Sequence, residues 1–259
     1  MLTLDVISGF LASDNIVRLA RVFNALSSCQ KDIALYYDEV GQKTAPPLAS
    51  LFPIPTPMDP SVISPILTYK KFLTRTGQPT STLVGLGDNK VNAMYVAAMD
   101  GTDNDVIVKF TARYHKKAHR ILAGAGFAPK LYFCERVVGG LCMVVMDRVD
   151  GKSLRQLQVE KKLIPTIVSK HMRQAVHLLH EQNIVFGDLR DPNILYDASS
   201  GCTFVVDFDW PGIHEVDRYP ATLNPNNSWP EDVMAYGLML KAHDLWQLKR
   251  LDILCQPSA

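Results

Sequence analysis

The sequence has almost no net charge, and it lacks a long apolar run and a pattern among its cysteines. Twenty-seven Lys and Arg residues oppose 26 Asp and Glu residues, which gives a formal net charge of +1. No global electrostatic field would therefore attract this protein to nucleic acid or to an anionic membrane surface. Each apolar run, such as Leu141–Met146, is far too short to span a bilayer. These absences disfavour nucleic-acid and membrane partners and favour a globular protein.

The cysteines and the first residues bear on the cellular compartment. The five cysteines form neither a CxxC pair nor a Cys/His cluster at metal-ligand spacing, and their number is odd. We expect them to be reduced thiols, mostly buried. The first ten residues include Asp5 and no basic residue, so they do not resemble a secretory signal. This pattern favours an intracellular, cytoplasmic location.

Apolar periodicity and proline density organise the first part of the chain. Between positions 13 and 37 apolar residues recur every three or four positions, which predicts an amphipathic helix that needs a docking surface. Seven of the 16 prolines then lie within residues 41–65, a density that excludes helix interiors and sheet ladders. The pattern predicts a helical segment over residues 1–41 and an extended linker over residues 42–66.

Beyond the linker the apolar period becomes strand-like. Short β-favouring runs are separated by turn signals, and a helical stretch from about 111 to 124 interrupts them after the third. The five runs cover residues 81–86, 93–98, 105–110, 130–137 and 141–146. The last two form a predicted hairpin with Gly139-Gly140 at its turn. The order is β-β-β-α-β-β, and the chain becomes mainly helical after Gly151.

The strongest chemical signal is a set of polar residues in the second half of the chain. Asn193 follows Asp188 by five positions, and Asp207 comes fourteen positions later, at the end of a short apolar strand. This spacing would bring three polar groups to one spot beside a metal-bound phosphate. Asp and Asn also form turns, so a loop without chemistry is the alternative interpretation.

The segments FGDLRDPNIL (186–195) and VVDFD (205–209) resemble the protein kinase superfamily, and within it the divergent fungal kinase-like proteins. The resemblance extends over roughly residues 80–209. It implies an α+β, bilobal protein kinase-like fold with a five-stranded N-lobe over residues 67–146. A shortened, mainly helical C-lobe would occupy residues 147–259, since only 52 residues follow Asp207.

The resemblance also implies roles for individual residues. Asp188 would accept the proton of the substrate hydroxyl, with Arg190 near the γ-phosphate. Asn193 and Asp207 would hold Mg²⁺ against the phosphates of ATP. The acceptor that the hydroxyl belongs to, a protein or a small molecule, is not specified by these motifs.

The remaining nucleotide contacts implied by the resemblance lie in the predicted sheet. Lys109 matches the strand lysine that contacts the α- and β-phosphates, and Gly85 and Gly87 match the start of a glycine-rich loop over them. A lone strand lysine is more often a solvated edge charge, and two glycines also suit an ordinary hairpin turn. The usual third glycine of the loop is missing, so the phosphate cradle is expected to be looser.

Three departures from the kinase pattern bear on activity. Phe186-Gly187 replaces the usual His-Arg, which argues against control by an activation-loop phosphate. Asp209 replaces the glycine of the DFG motif. Residues 110–134 contain no acidic residue, although active kinases place there a Glu that pairs with the strand lysine. Lys109 is therefore expected to lack an orienting partner.

These observations leave three hypotheses. The first is an ATP- and Mg²⁺-dependent phosphotransferase acting on Ser/Thr of proteins. The second is a nucleotide-binding pseudokinase that acts through protein interaction. The third is a small-molecule phosphotransferase, because choline and aminoglycoside kinase relatives also carry a glycine before the loop aspartate. The pair His243-Asp244 is interpreted as surface or helix packing in preference to a metal site.

Overall fold

The computed structural model describes residues 13–41, 51–74, 76–81, 91–102, 104–224 and 227–256. The chain divides into two compact units, Met1–Leu51 and Phe52–Ala259. The first unit contains helix α1 (Ser13–Gly41), where the apolar periodicity predicts a helix, and the apolar side chains of its stripe, such as Phe23 and Leu26, are exposed. Among the described residues, no helix combines the length and apolarity needed to cross a bilayer.

The second unit begins with an antiparallel sheet. Its strands are β1 (Leu67–Thr74), β2 (Pro79–Thr80), β3 (Val91–Met99), β4 (Val106–Thr111), β5 (Leu131–Arg136) and β6 (Cys142–Asp147), in the order β2-β1-β3-β4-β6-β5. Helix α2 (Lys116–Gly124) connects β4 to β5. Gly139 and Gly140 both have positive φ at the predicted turn between β5 and β6.

The described part of the chain gives this sheet six strands, not the five predicted. Strand β1 was missed because a register shift between Tyr69 and Lys71 breaks its alternation of apolar and polar residues. The run at 81–86, predicted as the first strand, lies outside the described residues except for Ser81, which is not in a strand. Among the described residues, the first strand of the sheet is therefore β1, which lies earlier in the chain than the predicted run at 81–86.

Strand β4 shows how the sheet positions Lys109. Successive side chains of a strand point to opposite faces. Val106 and Val108 are fully buried in the apolar core of the sheet, so Lys109 lies on the opposite face. It is paired with Met94 of β3 and Val144 of β6. Lys109 therefore projects from an inner strand, which excludes the alternative of a solvated edge charge.

Within the described residues, the rest of the second unit contains three α-helices among short strands and irregular segments. Its elements are β7 (Lys152–Ser153), α3 (Leu154–Val159), β8 (Ile164–Pro165), α4 (Thr166–Glu181), β9 (Ile184–Val185), a 3₁₀ helix (Asp191–Asn193), β10 (Ile194–Asp197), β11 (Cys202–Val205), β12 (Gly212–Ile213), α5 (Lys241–Leu254) and β13 (Cys255–Gln256). Residues of α4 and α5 form one apolar core with Ala118 and Leu122 of α2. The predicted α+β class, with an antiparallel sheet and several helices, is confirmed.

Residues 52–66 contact the rest of the second unit, although their proline density predicts an extended linker. The ring of Phe52 stacks on Tyr69 at 5.4 Å between centroids and lies 5.0 Å from Phe72. The N–H of Val138 donates to the carbonyl of Thr56 at 2.8 Å. Proline removes a backbone donor and fixes φ, but neither effect prevents neighbouring side chains from packing. The compact unit accordingly begins at Phe52.

We expect Phe52→Ala to lower the free energy of unfolding by about 1–3 kcal/mol, because it removes a partly buried ring from an aromatic cluster. Ile54→Ala is the matched control, since Ile54 lies two positions away and is 96% exposed. Its effect should stay within about 0.5 kcal/mol. Urea denaturation measures both, and equal values would show that Phe52 does not anchor the segment.

Candidate active site

The loop between β9 and β10 brings Asp188 and Asn193 together. The 3₁₀ helix, which contains Pro192, turns the chain back so that Asn193 faces Asp188. The Nδ2 of Asn193 donates to the Asp188 carbonyl at 2.9 Å and to its Oδ2 at 2.8 Å. Both side chains are buried. The two residues are therefore parts of one closed loop and not independent turn formers.

Arg190 lies on the carboxylate of Asp188. Its Nε donates to Oδ1, and its Nη2 donates to Oδ2 at 2.9 Å. The guanidinium also lies 5.3 Å from the centre of the Trp229 ring. Burial raises the pKa of Asp188, and the bonds from Arg190 and Asn193 oppose this rise without cancelling it. Arg190 thus orients Asp188, whereas the resemblance implied only proximity to a phosphate.

Asp207 follows β11 in an unusual backbone conformation. Its φ is +68°, in the left-handed region that costs a residue other than glycine roughly 1–3 kcal/mol. The neighbouring Val206 N–H donates to the carbonyl of Asn193 at 2.9 Å, which ties this segment to the loop of Asp188. These contacts hold the backbone of Asp207 in this conformation, and its side chain is directed at Lys109 of β4.

Lys109 lies between two carboxylates. Its Nζ is 2.5 Å from Oδ1 of Asp207 and 2.7 Å from Oδ1 of Asp209. The other oxygen of Asp209 accepts a hydrogen bond from Oγ1 of Thr111 at 2.8 Å. Burial disfavours the ammonium form of Lys109, but the two carboxylates outweigh burial and raise its pKa. Burial and the charge of Asp207 raise the pKa of Asp209.

The expectation that Lys109 lacks an orienting partner is therefore wrong. Its partners come from the segment after β11, which is close in space but about 100 positions away in sequence. Helix α2 supplies none of them. The Tyr114 ring, just before α2, lies 5.9 Å from the Lys109 ammonium, and Lys116 pairs with Glu135.

Two predicted site residues, Gly85 and Gly87, lie outside the described residues. The other five fall into two groups that meet at the end of β11. Asp188, Arg190 and Asn193 form one group, and Lys109 and Asp207 form the other. The hydrogen bond from the N–H of Val206 to the carbonyl of Asn193 joins the two groups.

Comparison with known proteins bears on this arrangement. No family model matches the chain. A serine/threonine-protein kinase-like protein of Arabidopsis thaliana is 27% identical over 157 residues, covering 53% of this chain and 42% of that protein. The chain therefore spans less than half of the length of this relative. The structure of the kinase PK-1 of Cydia pomonella granulovirus matches with a TM-score of 0.51 and 18% identity, over 71% of this chain and 67% of that chain.

The chain has a protein kinase-like fold. The resemblance to the protein kinase superfamily is confirmed at this level by the viral structure and by the plant relative. Neither of these proteins is fungal, so the narrower likeness to fungal kinase-like proteins stays a prediction.

A column of buried rings connects α2 to the loop that carries Asp188. The rings of His119 and Phe208 stack in parallel at 4.5 Å between centroids, and Phe186 meets Phe208 edge-on at 5.5 Å. All three are fully buried. Phe208 follows Asp207, and Phe186 lies two positions before Asp188. The column therefore fixes both acidic residues through their neighbours in the chain.

Asp244 of α5 anchors the lower end of this column. Its two oxygens accept hydrogen bonds from the N–H groups of Phe186 and Gly187, each at 2.8 Å. Asp244 is fully buried, which agrees with a role in helix packing and excludes a position on the surface. Sequence reasoning missed this anchor. The available signal was an acidic residue on the same helical stripe as Leu248 and Leu251.

Gly187 replaces the arginine of ordinary protein kinases, and the structure shows a steric reason. Its φ is +78°, and a Cβ added there would lie 2.4 Å from Cε of Met239 and 3.4 Å from the Tyr219 ring. Met239 and Tyr219 are both buried in a small core with Val185. These side chains occupy the space that a larger residue at position 187 would need.

We expect Gly187→Ala to destabilise the fold more than a matched glycine change. Gly201→Ala is the control, because Gly201 has φ +69° but has nothing within 4 Å of an added Cβ. The control should cost about 1–2 kcal/mol for the left-handed backbone alone. Gly187→Ala should cost about 1 kcal/mol more, because the terminal methyl of Met239 must move within a buried core. Equal free energies of unfolding in urea would show that the space at Gly187 is not restricted.

His119 predicts a pH dependence of stability. Its Nε2 donates to the Pro129 carbonyl at 2.7 Å, so in the neutral ring Nδ1 accepts from the Tyr114 hydroxyl at 2.6 Å. Burial lowers the pKa of His119 to about 4, against a smaller raising effect of the bond to Pro129. Between this value and the ordinary pKa of about 6.5, the unfolded chain binds more protons than the folded protein.

The free energy of unfolding should therefore fall as the pH drops from 7 to 5. For His119 this loss is about 2 kcal/mol. Other groups contribute as well, so the comparison is with His119→Gln, whose loss over the same range should be smaller by about that amount. Urea denaturation at the two pH values measures the difference. An identical loss in both proteins would show that His119 is not buried in the neutral form.

Proposed function

We propose that this protein is an ATP- and Mg²⁺-dependent phosphotransferase of protein kinase type that transfers the γ-phosphate to Ser or Thr of a protein. One observation carries the proposal. Lys109 lies 98 positions from Asp207 in sequence but contacts it directly, and the loop that carries Asp188 and Asn193 is hydrogen-bonded to the segment of Asp207. Each has the chemistry that phosphoryl transfer requires at its place. The name of the plant relative supports the acceptor class.

The side chains at the end of β11 fit a magnesium ion. Mg²⁺ prefers oxygen ligands and is commonly held by one or two protein groups together with phosphates and water. Asp207 offers a carboxylate that is 42% exposed, and Asn193 offers its amide oxygen, since its Nδ2 is directed at Asp188. The bound ion would neutralise charge on the phosphates of ATP. Lys109, facing Asp207, would contact the same phosphates.

Asp188 has the geometry of a general base. A carboxylate has roughly four lone-pair sites on its two oxygens. Arg190 and Asn193 together occupy two positions on Oδ2 and one on Oδ1. A position on Oδ1 therefore remains to accept the proton of an acceptor hydroxyl. Arg190 and Asn193 hold the carboxylate in one orientation while it does so.

A nucleotide-binding pseudokinase is the second candidate. It is favoured by the ion pair in which Lys109 contacts Asp207, because the metal ligand and the phosphate-binding cation neutralise each other. A nucleotide with its metal must separate this pair before transfer. A protein that binds nucleotide without separating the pair would act through its surfaces only.

We expect Asp188→Asn to reduce phosphate transfer about 100-fold or more and to leave Mg²⁺-ATP affinity nearly unchanged, since the base acts on the acceptor and not on ATP. Asp207→Asn should weaken both. Asp191→Asn is the control, because this neighbouring loop carboxylate faces Arg155 at 3.5 Å. Calorimetry measures affinity, and labelled γ-phosphate measures transfer to a protein mixture and to small alcohols.

The outcomes separate the candidates. Transfer to small alcohols in place of protein would move the acceptor class to small molecules. Binding without transfer in the wild type would favour the pseudokinase. The assignment of the site would be wrong if millimolar Mg²⁺-ATP neither bound nor stabilised the protein, since ligand at about 100 times its Kd adds roughly 2.7 kcal/mol.

A further inference from the structure

We propose that Asp209 is the positioning residue for Lys109. In active kinases this role belongs to a glutamate in the helix that follows the lysine strand. The inference rests on the proposed function, because it assigns a partner to the lysine that contacts the phosphates. Asp209 stands at the glycine position of the DFG motif, where a side chain is a departure from the kinase pattern.

The contacts around Asp209 are those of a fixed counterion. One of its oxygens is 2.7 Å from Nζ of Lys109, and the other accepts from Oγ1 of Thr111 at 2.8 Å. Lys109 and Thr111 are two residues apart on β4, so their side chains share one face of the sheet. The carboxylate of Asp209 is thus held by two side chains of an inner strand.

Asp207 cannot remain the counterion of Lys109 throughout the reaction. It pairs with Lys109 here, but the proposed magnesium ion needs the same carboxylate. The side chain of Lys109 is only 12% exposed, so its ammonium requires an opposite charge after Asp207 turns to the metal. Asp209 is the other carboxylate in contact with Lys109 among the described residues.

Helix α2 offers no substitute for Asp209. Residues 110–134 contain no acidic side chain. The Tyr114 ring, from the segment just before α2, lies 5.9 Å from the Lys109 ammonium. Lys116, in the first turn of α2, pairs with Glu135. A carboxylate after β11 therefore supplies what the helix lacks.

A different role for Asp209 must be distinguished, namely that its carboxylate ligates the metal directly. The two roles predict different coupling to Lys109. A positioning residue acts through the lysine, so its substitution has no harmful effect once the lysine is gone. A metal ligand acts through the metal, so its substitution is harmful with or without the lysine.

The test is a double-mutant cycle with Lys109→Met and Asp209→Asn, in which calorimetry gives the Kd for Mg²⁺-ATP. In the wild-type background we expect Asp209→Asn to weaken binding about tenfold, since Lys109 then stays on Asp207 and competes with the metal. In the Lys109→Met background the same change should leave the Kd unchanged or lower it, because it only removes a negative charge facing the phosphates.

Two further variants complete the design. Asp105→Asn is the matched control, because Asp105 has similar exposure and two cationic partners, Lys70 and Arg148, away from the site. It should leave the Kd unchanged. Thr111→Val keeps the charge of Asp209 but removes its donor, and should weaken binding about twofold to threefold only when Lys109 is present. It also serves if Asp209→Asn does not fold.

The results separate this inference from the proposed function. Equal weakening by Asp209→Asn in both backgrounds, or none in the wild type, would overturn the positioning role. A wild type that does not bind Mg²⁺-ATP would overturn the proposed function and the nucleotide part of this inference. Urea denaturation of the four proteins of the cycle, without nucleotide, would then still test the ion pair. The effects of the two substitutions on the free energy of unfolding are expected to be non-additive only if Asp209 is the counterion of Lys109.

Discussion

The buried ammonium of Lys109 is the constraint on which the candidate site depends. An ammonium removed from water needs an opposite charge at contact distance, because burial without one costs several kcal/mol or neutralises the group. Strand alternation directs Lys109 away from the apolar core of the sheet, and the nearest carboxylates belong to the segment after β11. This segment must therefore approach the sheet closely, and the left-handed backbone of Asp207 is part of how it does so.

The column of buried rings connects the segment that faces Lys109 to helices α2 and α5. Phe208 lies between the two aspartates that contact Lys109, and it is held by His119 above and Phe186 below. Asp244 then fixes the backbone of Phe186 from helix α5. The acidic residues that face the lysine and the loop that carries Asp188 thus share one support, so changes to the column should alter both.

Much of the candidate site could be predicted from short-range sequence patterns. The spacing of Asp188, Asn193 and Asp207 is local, and the turn chemistry of the loop brings the first two together as expected. The strand pattern placed Lys109 in the middle of an apolar run. The same reasoning missed β1, because a bulge breaks the alternation on which strand prediction depends. It also missed the packing of Phe52, because proline density says nothing about neighbouring side chains.

Composition and patterns a few residues long were sufficient to predict the residue types of the site, the α+β class and the absence of an acidic residue from residues 110–134. The carboxylates that face Lys109 could be identified only from the packing of the folded chain. Asp209 lies 100 positions from Lys109, and Asp244 lies 57 positions from the N–H group of Gly187 that it accepts from. Contacts over such separations arise from how the sheet and helices pack, and no local pattern records them.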